Sequence, residues 1–257
     1  MLKTTMHLSP AVTRRLLILG VLVLWEALPR LGLVHSLFLP PLSEAVMAAY
    51  RAYPMYIQNL LVTLGEVAAA LVIACGGGVM LGALIGSVPP LRRTLAPLLS
   101  SLYAIPLVVL YPLMAAWLGI GSESKIAFAS VYGMIPAALA SAAGIQGIDA
   151  QLSLTAKSMG ATLFQRIVHV IVPAAIPSIL SGVRIGGALA IVGVVLAQML
   201  LSTAGLGFVI TTYRTLLDGP HVFAAILCVL VIALAFDWAV RLLERRTAPW
   251  SAAIAPS

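Results

Sequence analysis

Charge is scarce in this sequence. Of its 257 residues only 9% are Asp, Glu, Lys or Arg, while 61% are hydrophobic. A water-soluble domain carries roughly 25% charged side chains. No folded globule of this length hides so much apolar surface from water, so lipid must solvate much of it. That excludes a soluble domain and leaves a polytopic α-helical membrane protein. Cysteine is nearly absent as well. Cys75 and Cys228 both lie in apolar runs, with no CxxC spacing and no His-spaced partner, so neither a disulfide nor a metal site is expected. The four histidines, His7, His35, His169 and His221, are scattered among termini and loops; a membrane-embedded enzyme would cluster such groups at one depth. A GxxxxGK[ST] phosphate loop is also missing, so this chain is expected to bind no nucleotide cofactor and to draw any ATP energy from a partner.

What is present is a series of apolar segments. A helix rises about 1.5 Å per residue and the hydrocarbon layer is about 30 Å thick, so a crossing takes roughly 20 residues. Six segments qualify, near 16–34, 57–87, 95–118, 124–147, 176–202 and 222–243. The net charge of +7 is assigned to loops facing anionic lipid and cytoplasm rather than to nucleic acid. Lys3, Arg14, Arg15, Arg92, Arg93, Lys157, Arg166, Arg184, Arg241, Arg245 and Arg246 fall on one side of the six segments. Only Arg30, Arg51, Lys125 and Arg214 fall on the other. The positive-inside rule then places both termini and the 147–176 loop in the cytoplasm. The expected organisation is a cytoplasmic start at 1–15, one transmembrane domain at 16–250 and a cytoplasmic tail at 251–257. The first apolar run continues into "WEALPRLGL" without a small-x-small cleavage site, so it reads as a retained span. The following "FLPPLSEAVMAAY" predicts a proline-broken turn and a short helix capped at Ser43, with Ala45, Val46, Ala49 and Tyr50 on the outer membrane surface.

The stretch "TAKSMGATLFQRIVHVIVPAAIP" at 155–177 interrupts the apolar runs. Asp149 or Ser153 can cap a short helix, and Gly160 can supply the left-handed position that ends it. Thr162 with Gln165 three residues later is a capping-box pattern opening a second helix. Pro173 is expected to end that helix, and Pro177 to sit in the first turn of the fifth span. Leu152, Ala156 and Met159 recur at helical spacing and form an apolar stripe two turns long. So short a helix needs something to pack on. Either its own membrane domain or a groove on a separate subunit would serve.

These residues carry a family resemblance. "TAKSMGATLFQRIVHVIVPAAIPSILSGVRIG" resembles the EAA-type cytoplasmic loop of inner-membrane permease subunits of ABC importers, with Ala156, Gly160, Ile171 and Pro173 at matching positions. "FLPPLSEAV", "YAIPLVVLYPLMAAWLGIGSESK", "GLGFVI" and "RRTAPW" are similar to the nitrate/sulfonate/taurine-type branch, so the likeness runs from about Leu16 to Trp250. The resemblance implies the type I ABC importer permease fold with six transmembrane helices. It also implies a permease dimer seated on ATPase subunits that use ATP and Mg, and a periplasmic or lipid-anchored solute-binding protein. Within it, 148–175 is the coupling loop and 151–160 the coupling helix, so Gln151, Leu152, Thr155, Ala156, Lys157, Ser158, Met159, Gly160 and Ala161 would meet the ATPase. Pro173, Pro177 and Arg184, which matches the arginine of the family's "GLRIG", would shape and anchor the loop. The pattern departs at Thr155, where the family has Glu, and at Lys157, where it has Ala. The branch implies a small anion such as a sulfonate, taurine or nitrate, although related members serve thiamine precursors, riboflavin or aromatic carboxylates.

Charges inside the spans each need a reason, since insertion costs about 2.5–3.5 kcal/mol. Glu66 is also a departure, because the resemblance implies a basic residue near that point. It either faces the pathway or pairs with Arg51 or Lys125. Glu26 and Asp237 read as structural partners. Tyr103, Tyr111 and Met114 flank Pro106 and Pro112, which interrupt the third span. With Gln198 and Met199 on the fifth, they are candidates for the pathway or for ordinary interhelical packing. A competing reading is a secondary transporter or channel working without an ATPase. It predicts inverted repeats or charged relays within the spans, which are not seen, and it leaves 151–173 without a purpose.

Overall fold

The computed structural model describes residues 9–148 and 150–252, and all regular structure among them is helical. With lipid as solvent, backbone donors and acceptors must pair within their own segment, and a helix does that. The elements are α1 (Pro10–Arg30), α2 (Leu42–Arg51), α3 (Tyr53–Ser87), α4 (Pro89–Ala104), α5 (Tyr111–Leu118), α6 (Ser122–Gln146), α7 (Ala150–Ser158), α8 (Leu163–Arg166), α9 (Val172–Leu200), α10 (Leu206–Thr215) and α11 (Gly219–Ala252). Asp149 and residues 253–257 of the expected tail lie outside the described residues, as do residues 1–8.

Among the described residues four helices are long and apolar enough to cross a membrane: Tyr53–Ser87, Ser122–Gln146, Phe164–Leu200 and Gly219–Thr247. Pro89–Ala104 and Leu107–Leu118 together make a fifth candidate, bent by 85°. The break falls at Pro106, which cannot donate to the preceding turn, and a tighter turn over Leu107–Leu110 leads into α5 with Pro112 in its first turn. Helix α1 has 21 residues, about the length of a crossing. Every 18-residue stretch of it holds Arg14, Arg15 and Glu26, however, which sets it apart from the other candidates.

Helices α3, α6 and α9 form the centre. Glu66 meets Ser122 and Lys125, and Gly78 faces Ala137, so α3 and α6 run parallel. Gly193 faces Ala129 while Gly182 faces Ala140, so α9 runs antiparallel to both. Between lipid-solvated helices close packing replaces the hydrophobic drive, and small residues permit it. A β-carbon on Gly78 would lie 2.6 Å from the Ala137 β-carbon, and one on Gly133 would meet the Gly186 carbonyl. Within "CGGGVMLGALIG" Gly78, Gly82 and Gly86, and within "SGVRIGGALAIVG" Gly182, Gly186 and Gly193, thus mark true backbone approaches. Helix α11 packs along α9, with Phe236 laid over Gly187. Leu16, Leu17, Leu19 and Val23 of α1 are more than half exposed, the surface a lipid-facing helix presents.

Helix α2 differs from its expectation. It starts at Leu42, and Ser43 caps nothing: its N–H and hydroxyl both donate to the Glu26 carboxylate, at 3.0 and 2.7 Å. Ala45 and Ala48 are buried, α2 packs against α11, and Val46 and Tyr50 point away. Glu26 also pairs with Arg30 at 2.7 Å, which makes it a structural partner.

Candidate functional site

The connection between α6 and α9 is built from local hydrogen bonds. Gly160 has φ +82°, its N–H donates to Lys157 O at 3.0 Å, and the Ala161 N–H donates to Ala156 O at 3.0 Å. This is the Schellman pattern, with Gly160 at C′ where a side chain is disfavoured. Thr162 then opens the next helix. Its N–H donates to Gln165 Oε1 at 2.9 Å, and the Gln165 N–H donates back to Thr162 Oγ1 at 3.3 Å. That reciprocal pair is a capping box. Thr162→Ala should therefore cost the segment about 1 kcal/mol of helix stability, read as faster proteolysis near 160–166 in an otherwise intact chain. Unchanged proteolysis would show that the box contributes nothing.

Pro173 does not end the second helix. A wider π-type turn over Ile167–Ile171 precedes it, and the helix continues to Leu200. Pro173 falls in the first two positions of α9, where a missing N–H costs little, and the wider turn relieves crowding against the ring. Pro177 lies inside α9 rather than in its first turn. Arg184, twelve residues into α9, pairs with Asp237 at 3.2 Å and Glu244 at 2.8 Å on α11 instead of bracing the 148–175 connection.

Helix α7 leans on α8 and on the 167–171 turn. Its expected stripe divides: Leu152 and Ala156 are half-buried, as is Ala161, whereas Met159 is 82% exposed. Leu154 and Phe164, 60% and 72% exposed, stand out with it. Gln151, Thr155, Lys157, Ser158 and Gly160 are exposed too. The connection thus presents a polar surface from which Leu154, Met159 and Phe164 stand furthest out, beside a left-handed glycine turn.

At the opposite end of the bundle the structure places several of the remaining candidates together. Glu66 Oε1 lies 2.9 Å from Lys125 Nζ, with the side chains 3% and 5% exposed. Arg51, the other cation considered for Glu66, is exposed on α2. Ser122 Oγ donates to Glu66 Oε1 at 2.7 Å, and Gln198 Nε2 donates to Glu66 Oε2 at 2.7 Å. Lys125 donates to Ser202 Oγ at 2.9 Å. The same network holds the start of α10, whose N-cap residue Gly205 has no side chain to offer. The N–H groups of Gly205, Leu206 and Gly207 donate to Asn59 Oδ1, Thr63 Oγ1 and Gln198 Oε1, at 2.7, 2.8 and 2.9 Å. Three of the orphan donors of that helix are thereby satisfied from α3 and α9.

Among the other candidates, Tyr111 is fully buried, packed on Phe128 with centroids 5.3 Å apart, and its hydroxyl donates to Leu201 O at 3.0 Å. Met114 and Met199 are half-buried against the two apolar clusters, and Tyr103 is exposed on α4. Asn59, Thr63, Ser122 and Ser202 were not singled out from sequence. The first two had a signal: with Glu66 they recur at 59, 63 and 66, a polar stripe at helical spacing inside an apolar span.

Comparison with known proteins agrees with this architecture. Residues 78–249 match the model of the binding-protein-dependent transport system inner membrane component. The taurine transport system permease protein TauC of Escherichia coli (strain K12) is 32% identical, over 97% of this chain and 94% of its own length. A putative aliphatic sulfonates transport permease protein, SsuC of Bacillus subtilis (strain 168), is 30% identical over 90% and 84%. Among solved structures, an inward-facing form of the MetNI methionine ABC transporter superposes with a TM-score of 0.66 at 18% identity, covering 75% of this chain and 96% of that one. A shared helical fold, near full-length likeness to permeases and a match through the glycine-turn connection lead to one conclusion: the chain belongs to the family of inner membrane components of binding-protein-dependent transport systems, the permease subunits of ABC importers.

Proposed function

We infer that this permease crosses the membrane six times, with α1 as the first pass, the bent α4–α5 pair as the third, and both termini on the cytoplasmic side. Two copies would pair and sit on ATPase subunits, while a solute-binding protein delivers the cargo from outside. The 148–175 connection is the coupling loop and α7 its contact helix. The cargo is a small anion of the sulfonate, taurine or nitrate kind, two relatives being named for taurine and for aliphatic sulfonates. Tyr103 keeps a pathway role. Glu66, Tyr111 and Gln198 act from within the chain, because each is buried inside one protomer.

One observation carries this reading: Leu154, Met159 and Phe164 stand exposed beside a left-handed glycine turn. A lone two-turn helix is marginal in water, and apolar groups so displayed fit a groove on a second subunit. Shape and apolar contact would supply the affinity, with exposed Lys157 steering toward an acidic rim in place of the usual glutamate. Gly160→Val tests this selectively. Nothing lies within 4 Å of a β-carbon there, so only the left-handed backbone is penalised, by roughly 1–2 kcal/mol. ATPase co-purification should fall about tenfold and transport with it, at normal membrane insertion. Full ATPase retention with full transport would overturn the assignment.

A further inference from the structure

A buried ion pair is a costly way to join helices. Apolar residues of the same volume usually stabilise a fold equally well or better, so the Glu66–Lys125 pair calls for a reason beyond stability. Its attachments supply one. Helices α6 and α9 are the two that enter and leave the 147–172 connection. Their far ends carry Lys125 and Gln198, and both residues bind Glu66 of α3. Along the way the two helices are in near backbone contact at Gly133–Gly186 and at Gly182–Ala137. Beyond α9, Lys125 holds Ser202, whose hydroxyl donates to Ala204 O at 2.7 Å, and Gln198 holds Gly207. The start of α10, which follows α9 after a short link and buries Leu206, Val209 and Ile210 in the core, is thus fastened further to the three central helices by these side chains.

We propose that Glu66 and Lys125 are positioning residues for transport: they clamp the start of α10 to α3, α6 and α9, so that displacement of the 147–172 connection reaches the opposite membrane face as the movement of one body. Packed helices of this kind switch between discrete arrangements rather than bending smoothly, and a clamp at the far end keeps α10 in step with them. The pair acts through α10 and needs no contact with solute. The inference rests on the coupling role of the connection given above.

The test uses the full chain assembled with its ATPase subunits in lipid nanodiscs. Cys75 and Cys228 are replaced by Ala, and Leu216→Cys provides a reporter just after α10, at a site 67% exposed. Labelling by a membrane-impermeant maleimide is timed without nucleotide and after trapping with ATP and orthovanadate. In the parent the rate should change at least fivefold on trapping. In E66Q/K125M, which leaves no unpaired charge, the ATPase should still co-purify while the change falls below twofold; K125R, which keeps the cation, should restore it. A clamp serving stability alone would leave the response of the assembled double variant intact, and an equal response overturns the proposal. If the double variant does not assemble, Ser202→Ala reads the same quantity with the ion pair kept. A response at least halved supports the clamp, and an undiminished one overturns it. A parent complex with no change on trapping overturns the coupling reading itself, and this inference with it.

Discussion

Lys125→Met should lower the unfolding free energy of the chain by about 3–5 kcal/mol, the cost of leaving a buried charge without its partner. Glu66 would keep Ser122 and Gln198 as donors but lose its cation at 2.9 Å, and Ser202 would lose the donor that fixes it. The Ser122 and Gln198 donors are already engaged before the substitution, so they add nothing to offset the counter-charge that is lost. Denaturant unfolding of the detergent-purified chain reads this directly. E66Q/K125M should recover most of the loss, since the two substitutions are strongly coupled. A loss below about 1 kcal/mol in Lys125→Met would show that the pair is solvated and behaves like a surface bridge.

Gly133→Leu should be nearly as damaging, by about 3 kcal/mol, the upper end of what overpacking costs. Gly133 sits where three helices meet: a β-carbon would strike the Gly186 carbonyl and lie 2.9 Å from Ala190 Cβ and 3.1 Å from Ala74 Cβ. A backbone oxygen in a packed helix cannot swing aside, so α6 and α9 would have to separate along their length. Gly76→Leu on α3 is the matched control, because nothing lies within 4 Å of that position and leucine favours a helix over glycine. The same unfolding assay on both variants separates contact from propensity. Equal stability of the two would mean that the small-residue faces are not the seam of the bundle.

The parts of this molecule legible in the sequence were those held by neighbours in the chain. Gly160 as a left-handed stop and Thr162–Gln165 as a capping box each depend on hydrogen bonds spanning at most five residues. The break at Pro106 follows from one missing donor. Reasoning of the same local kind failed at Pro173 and Pro177. There a helix long enough to be held by packing along its length absorbed both rings, with the aid of a wider turn at 167–171. Ser43 likewise looked like a cap, but Glu26 on another helix had the stronger claim on its donors.

Composition and short-range pattern by themselves determined that the chain lives in lipid, that it is helical, and that a capped two-turn helix interrupts it. Lipid leaves the backbone no other way to satisfy its hydrogen bonds, and caps are made within a turn. Only the tertiary structure decided which cation meets Glu66, which glycines touch backbone, that α10 borrows its cap from α3 and α9, and that Arg184 serves α11. Those outcomes depend on how helices remote in the chain come to lie side by side, and no rule confined to a few consecutive residues contains that information.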